Sequence, residues 1–194
     1  MDRSIIIAGV DEAGRGPLAG PVVAAAVILD RSMEIPGISD SKKLSPAKRE
    51  ILAEQIMENS VAWSISRAEV NEIDSINILQ ASLLAMLRCI RSLSTRPDEV
   101  LVDGIYTPDI DIPSKAIIKG DQSVPEISAA SIIAKVYRDR EMQQLDNTYP
   151  GYGFAKHKGY PTRDHIAALN RLGVCPIHRR SFSPVRAVLQ KMSG

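Results

Sequence analysis

The chain has 194 residues, 44% of them apolar and 24% charged, which suits one folded domain and excludes a disordered chain. A domain of this size buries roughly 70% of its unfolded surface and needs neither a disulfide nor a structural zinc. No run approaches the about 18 uninterrupted apolar residues of a membrane span, and the stretch before Asp11 is too short for a signal peptide. We therefore expect a cytoplasmic protein with no membrane attachment, in which Cys89 and Cys175 are buried free thiols.

The net charge of +1 conceals an uneven distribution. Residues 151–194 contain eight Lys or Arg and one acid, a net charge of +7, so residues 1–150 carry −6. Such asymmetry is expected when one part of a protein grips a polyanion and another part collects carboxylates. A solvated basic tail would produce the same distribution.

Apolar runs of strand length at residues 4–10 and 21–29, joined by a glycine-rich turn, predict two neighbouring strands. Ser45-Pro46 predicts the start of a helix that runs to about residue 59, and an alternating strand follows at 61–67. Apolar residues at spacings of three and four predict a helix over 75–93. The remaining predicted elements are short strands at 100–102 and 115–118, and helices at about 125–145, at 162–172 and from 183 onwards.

This order of elements predicts an α/β fold with a mixed five-stranded sheet flanked by helices and a small C-terminal helical extension. Strands 1 to 3 are expected to form an antiparallel meander, with strands 4 and 5 parallel to strand 1. No helix separates strand 5 from strand 4, which is unusual for a parallel pair.

Acidic residues follow three of the predicted strands: Asp11 and Glu12 the first, Asp103 the fourth and Asp121 the fifth. Singly, each acid could be a turn residue, a helix cap or a solvated strand end. If the three strands are adjacent and point the same way, four carboxylates meet at one edge of the sheet and raise one another's pKa. A set of oxygen ligands without histidine favours Mg²⁺ or Mn²⁺ over zinc. Two such ions about 4 Å apart would suit phosphodiester hydrolysis.

Two further features favour nucleic acid. The loop 14–20 (Gly-Arg-Gly-Pro-Leu-Ala-Gly) would let a polymer backbone approach while Arg15 reaches a phosphate or sugar, although a tight hairpin alone could also need these glycines. Five of the eight aromatic residues lie between 149 and 182 among basic residues, which suits stacking on bases; packing of the tail on the body is the alternative. The rings are Tyr149, Tyr152, Phe154, Tyr160 and Phe182, and the cations are Lys156, Lys158, Arg179 and Arg180. His157, His165 and His178 lack metal-ligand spacing and are interpreted as structural or phosphate-facing.

Residues 11–22 (Asp-Glu-Ala-Gly-Arg-Gly-Pro-Leu-Ala-Gly-Pro-Val) closely resemble the opening motif of ribonuclease HII, the prokaryotic type 2 ribonuclease H. Blocks similar to that family's follow in its order at 40–44, 102–104, 119–121, 129–136, 157–162 and 178–182. The fourth acid, Asp121, also resembles type HII, since type HIII has Glu there.

The resemblance implies an RNase H-like catalytic domain at residues 1–148, with a basic helical segment at 149–194 packed on it as a single structural unit. It implies cleavage of the RNA strand of RNA–DNA hybrids, and of duplex DNA at single ribonucleotides, by two Mg²⁺ or Mn²⁺ ions, leaving 3′-hydroxyl and 5′-phosphate ends. By position, the catalytic and metal-binding set would be Asp11, Glu12, Asp103 and Asp121. Recognition of the ribonucleotide would fall to Gly14, Arg15 and Gly16 around its 2′-hydroxyl and to Tyr160 by stacking on a sugar, and Lys42 and Lys43 would hold backbone phosphates.

Two other functional hypotheses fit parts of the sequence. A non-catalytic nucleic-acid-binding module would bind duplexes in a salt-dependent way without cleaving them. A small-nucleotide enzyme could use the glycine loop, although Glu12 would repel the phosphate there. Residues 188–194 lack the paired aromatics of a sliding-clamp ligand, so the sequence does not support a clamp partner. We also expect the protein to be a monomer.

Overall fold

The computed structural model describes residues 5–30, 32–33, 35–38 and 44–193. Lys42 and Lys43 lie outside the described residues, so their assignment to phosphates stays a prediction. The strands are β1 (Ile7–Ala13), β2 (Val22–Leu29), β3 (Ser60–Ala68), β4 (Glu99–Asp103) and β5 (Ser114–Ile117). The helices are α1 (Pro46–Glu58), α2 (Val70–Arg91), α3 (Pro125–Thr148), α4 (Phe154–His157), α5 (Arg163–Leu172) and α6 (Ser183–Ser193).

The five strands form one mixed sheet in the order β3-β2-β1-β4-β5. β1 pairs antiparallel with β2, and β2 pairs antiparallel with β3. β4 is parallel to β1, and β5 is parallel to β4. The predicted meander and both predicted parallel pairings are therefore confirmed, and the loop from β4 to β5 crosses over without a helix.

The sheet is covered on both faces, which explains the continuous apolar run of β2. Alternate residues of a strand point to opposite faces, so Ala24 and Ala26 pack with helix α2 in one core while Ala25 and Val27 pack with α1 and α3 in the other. The first turn of α3 lies directly on β1, because a Cβ added at Gly9 would come within 2.1 Å of the backbone carbon of Glu126. This contact places the start of α3 against the strand that carries Asp11.

Helix α2 begins at Val70, five residues earlier than the predicted start at 75, and is kinked at Asn77. The kink has a local cause, since Asn77 has a φ of 67° and its side-chain oxygen accepts the N–H groups of Leu79 and Gln80 as an N-cap would. Within the described part of the chain, α2 is the one helix long and apolar enough in composition to cross a membrane. Its buried residues pack on the sheet, and a core helix passes the same test of composition.

Two short elements are absent from the predicted order. A 3₁₀ turn at Gly120–Gln122 follows β5, and the short helix α4 precedes α5. Helix α3 takes Val124 as its N-cap, so Asp121 belongs to the 3₁₀ turn and does not cap the helix. Cys89 and Cys175 are both free and buried, as predicted.

The C-terminal segment contacts the body of the domain through two apolar clusters. Tyr152 and Phe154 pack with Ala19 and Met142, and α5 and α6 pack around Leu18. Leu18 and Gly20 donate their N–H groups to the carbonyls of Gly159 and Ile177, at 2.8 and 2.9 Å. The glycine loop after β1 is therefore held between the body and the C-terminal segment.

Candidate active site

The four predicted acids come together at the edge of the sheet where β1 and β4 end. Val10 and Val102 are register partners in parallel strands, so Asp11 and Asp103 follow them side by side. The backbone N–H of Asp121 donates to Asp103 Oδ1 at 3.3 Å, which places the 3₁₀ turn against the same group. Glu12 follows Asp11 within β1, which ends at Ala13. The strand order thus brings together the acids, as the sequence analysis expected if the three strands were adjacent and parallel.

Asp11 is 6% exposed, and its burial is the largest cause of a pKa well above the usual range. The negative charges of Glu12 and Asp103 raise this pKa further, whereas hydrogen bonds from Ser131 and from the Glu12 N–H, at 2.7 Å, lower it. Burial also raises the pKa of Glu12, against the opposing charge of Arg15. Repulsion among the carboxylates, the cause expected from sequence, is real, but burial contributes more.

The guanidinium of Arg15 places a positive charge at this acidic edge. Its Nη1 lies 3.2 Å from Glu12 Oε1, three residues earlier in sequence, while about half of the Arg15 side chain is exposed. The guanidinium therefore neutralises part of the acidic edge from the solvent side.

The chemistry of these side chains suits a divalent cation that prefers oxygen. The charges of Glu12 and Asp103 act on the Asp11 carboxyl at this edge, and the backbone N–H of Asp121 bonds Asp103 there. In the described part of the chain, no three His, Cys, Asp or Glu side chains are already drawn together tightly enough to hold a metal ion. An arrangement of this openness fits Mg²⁺ or Mn²⁺, which keep several waters and take only a few protein ligands.

A cleft of about 400 Å³ opens beside the acids. It is lined by Glu12, by the glycine loop, by Tyr160 and by side chains of α1 and α3. Tyr160 is 41% exposed, and its ring lies over Gly16, where an added Cβ would meet it at 3.5 Å. The structure therefore brings Gly14, Arg15, Gly16 and Tyr160 into one cleft, as their predicted common role requires.

The backbone of the glycine loop is oriented by two buried arginines, Arg138 and Arg179, and sequence reasoning did not predict this role for either. Arg179 donates to the carbonyls of Gly14 and Arg15, at 2.6 and 3.0 Å, and Arg138 donates to those of Ala19 and Pro21, at 3.1 and 3.0 Å. In a planar trans peptide the N–H points opposite to the C=O. The N–H groups of Arg15 and Gly16 therefore point away from Arg179, towards the cleft, and can donate to a hydroxyl or phosphate oxygen.

The buried position of Arg179 corrects its predicted place on a nucleic-acid surface. Arg179 is fully buried, as is Phe154, and Tyr152 is nearly so. Burial lowers the pKa of Arg179 to about 9, since its carbonyl partners carry no charge to replace lost hydration. All three histidines are buried too, which confirms their structural interpretation over a phosphate-facing one. The exposed ring in the cleft is Tyr160.

Three other residues of the site were given no role from sequence. Ser131 bonds Asp11, and Lys135 and Arg49 line the cleft. A signal was available in α3, where Ser131, Lys135 and Arg138 are spaced by four and three residues and so share one face of the helix. That face is turned to the glycine loop. No comparable pattern marks Arg49 in α1.

A sequence model of the family described as Ribonuclease HII matches residues 8–185 of this chain. A relative named Ribonuclease HII from Coxiella burnetii is 60% identical over 183 residues, which cover 94% of this chain and 91% of the relative.

The fold is also similar to solved structures. Ribonuclease H2 from Pyrococcus horikoshii superposes with a TM-score of 0.81 at 29% identity, over 96% of this chain and 98% of that one. RNase HII from Archaeoglobus fulgidus, solved as a complex with PCNA, gives 0.75 at 27% identity, over 93% and 97%. Bst-RNase HIII in complex with Mn²⁺ gives 0.74 over 97% and 70%, and at 19% identity this likeness shows the fold alone.

Proposed function

As a member of the ribonuclease HII family, the chain is a ribonuclease H that acts on RNA–DNA hybrids, and we propose that it also cuts duplex DNA at a single ribonucleotide. One observation carries the proposal: the cleft that holds the glycine loop and Tyr160 shares Glu12 with the acidic edge. Residues proposed to sense the sugar and a residue proposed to act at the scissile phosphate therefore line the same cleft. Membership of this family also sets aside the non-catalytic binding module.

Recognition of one ribonucleotide needs a group that senses the 2′-hydroxyl, because that hydroxyl distinguishes RNA from DNA at a single position. The N–H groups of Arg15 and Gly16 are donors aimed at the cleft, and the Arg15 guanidinium is a third. The Tyr160 ring, over Gly16, offers a flat surface for the adjoining sugar. A deoxyribose would leave these donors without an acceptor, which disfavours its binding.

Asp11, Glu12, Asp103 and Asp121 are proposed to hold two divalent ions, Mg²⁺ or Mn²⁺, consistent with the metal dependence of the family. When bound, such ions activate a water and stabilise the leaving oxygen of an attack on phosphorus. The reaction adds water across the P–O3′ bond: the water oxygen bonds to phosphorus, and O3′ leaves and gains a proton. The products are a 3′-hydroxyl and a 5′-phosphate. Ser131 orients the Asp11 carboxylate, and Arg15 is free to move from Glu12 to a phosphate once cations occupy the edge.

The C-terminal segment, residues 149–194, is proposed to act with residues 1–148 as one unit that binds the duplex. Its net charge of +7 attracts the polyanion, and its Tyr160 completes the cleft. We further propose that the protein works as a monomer in the cytoplasm. The Archaeoglobus relative was solved as a complex with PCNA, but residues 188–194 of this chain lack the paired aromatics of a sliding-clamp ligand, so no clamp partner is proposed.

The test uses a DNA duplex with one ribonucleotide, incubated with and without Mg²⁺, followed by mapping of the nick and of its end groups. We expect a single cut beside the ribonucleotide, stopped by chelator and restored by Mg²⁺ or Mn²⁺. Asp103→Asn should abolish cleavage and leave duplex binding nearly intact, whereas Asp109→Asn, the same change at an exposed loop acid, should cut at the wild-type rate. Wild-type turnover by Asp103→Asn would refute the assignment of the acids.

The recognition residues are tested separately. Tyr160→Ala and Arg15→Ala should lower kcat at an isolated ribonucleotide by about tenfold or more and change duplex Kd much less. Tyr137→Ala is the matched control, because Tyr137 is also 41% exposed but lines a different groove, with Trp63 and Met57. Equal losses of turnover and affinity in Tyr160→Ala would count against a ring that reads the junction.

A further inference from the structure

All three histidines of the chain form one buried cluster with Cys175, directly behind Tyr160. His165 Nδ1 lies 2.9 Å from the carbonyl oxygen of Tyr160, and His165 Nε2 lies 3.1 Å from His178 Nε2. His178 Nδ1 in turn lies 3.0 Å from the backbone nitrogen of Cys175. The cluster contributes no ligand to the acidic edge and lines no part of the cleft.

The hydrogen-bonding partners of His165 and His178 determine which ring nitrogen of each carries the proton. The carbonyl of Tyr160 can only accept, so His165 carries its proton on Nδ1 and presents Nε2 as an acceptor. His178 must then donate from Nε2, which leaves its Nδ1 to accept the N–H of Cys175. The backbone groups of Tyr160 and Cys175 are thus joined through two imidazoles that have a single compatible tautomer each.

Ring packing keeps the imidazoles in this orientation. His157 stacks on His165 with ring centres 4.4 Å apart, and Phe154 meets His165 edge to face at 5.4 Å. His165 and His178 have no exposed surface. Breaking either contact would leave a buried donor or acceptor without a partner, which makes the arrangement rigid.

The cluster also connects Tyr160 to the loop that its ring faces. Ala19 forms an isolated β-bridge with His178, and the carbonyl of Gly159, next to Tyr160, accepts the N–H of Leu18. Gly159 approaches so closely that an added Cβ would lie 2.7 Å from the Ala19 carbonyl oxygen. The backbone of Tyr160 is therefore held from behind by His165 and from the side by the loop.

We propose that His165 and His178 are positioning residues for ribonucleotide cleavage, which set the height of the Tyr160 ring over Gly16 through the Tyr160 carbonyl. This inference rests on the proposed function and adds to it the residues that make the ring a rigid stop for the sugar. A ring displaced by even 1 Å would change the fit of the ribonucleotide far more than the affinity for the duplex. The two imidazoles affect the reaction only through Tyr160.

The variants separate positioning from packing. His165→Phe keeps the ring and removes both hydrogen bonds, whereas His165→Asn keeps an N–H donor near the position of Nδ1. Leu169→Ala is the control, since Leu169 is equally buried one turn further along α5 and packs in a different cluster. We expect His165→Phe to lower kcat at a single ribonucleotide about tenfold with Kd within about twofold, His165→Asn to recover most of it, and Leu169→Ala to lower Tm without this split.

Coupling to Tyr160 provides the decisive measurement. In a Tyr160→Ala background, His165→Phe should cost no further activity, because both changes remove the same positioned ring. Independent, multiplicative losses would overturn the proposal and assign His165 a purely structural role, as would wild-type kcat in His165→Phe. ¹⁵N NMR of the imidazoles should show His165 protonated on Nδ1 and His178 on Nε2, and the reverse tautomers would overturn it without any activity assay. Failure of the wild-type enzyme to cut at a ribonucleotide would instead refute the proposed function.

Discussion

His178 should make the folded protein sensitive to acid, and the size of the effect follows from its surroundings. Its Nδ1 faces the Cys175 N–H and thiol, its Nε2 faces His165, and the rings of Tyr152 and Phe154 cover it. Burial in this apolar and neutral setting lowers the pKa of His178 from 6.5 to about 4. The unfolded chain therefore binds a proton below pH 6.5 that the folded protein does not accept until about pH 4.

The sign follows from proton linkage: between these two pH values the unfolded state binds more protons, so the free energy of unfolding falls as the pH falls. Integration between pKa values of 6.5 and about 4 gives a loss of about 2 kcal/mol from pH 7 to pH 5 due to His178 alone. His178→Gln, which keeps a donor near the position of Nε2 but cannot titrate, should lack this part of the pH dependence.

Urea unfolding of both proteins at pH 7, 6 and 5 measures the difference. The other titratable groups are common to both proteins, so the comparison isolates the contribution of position 178. We expect the stability gap between wild type and His178→Gln to narrow by about 2 kcal/mol on going to pH 5. A constant difference in stability across this range would show that His178 accepts protons normally in the folded state. The description of His178 as a neutral, hydrogen-bonded imidazole would then be wrong.

Three substitutions test other parts of the reasoning. Asp11→Asn should abolish cleavage yet raise Tm at pH 8. The pKa of Asp11 is raised in the folded protein, so its charged form opposes folding at any pH above the pKa of the unfolded chain. A lowered Tm by calorimetry would contradict this. Gly9→Ala should lose about 3 kcal/mol in urea unfolding, since its Cβ would strike the backbone of Glu126, whereas Gly16→Ala meets only ordinary contact with Tyr160 and should fold normally. Arg179→Met should lower the free energy of unfolding by about 3 kcal/mol, because it leaves the carbonyls of Gly14 and Gly20 without donors. Arg180→Met, at an exposed position, should unfold like wild type. Equal effects of the two changes would refute the role of Arg179.

Much of the architecture could be read from local pattern, because strands buried on both faces and helices with one apolar face leave short-range signatures. The apolar run of β2, the Ser45-Pro46 start of α1 and the Thr162 cap of α5 are all of this kind, and each proved correct. The acids could be named for the same reason, since each lies at the end of an apolar run or within a few residues of it. The start of α2 was missed because Asn71 and Glu72 interrupt the apolar residues of its first turn, and the kink at Asn77 separates this turn from the strongly apolar part of the helix.

Tertiary structure decided how these parts act together. Residues far apart in sequence become neighbours only through strand order, as Asp11 and Asp103 do when β4 inserts beside β1. Burial overturned the predicted surface position of Arg179, since a basic side chain looks the same in sequence whether it faces solvent or a cluster of backbone carbonyls. Composition specifies which groups are available, but their hydration and partners depend on long-range packing, and those two quantities determine pKa, position and therefore chemistry.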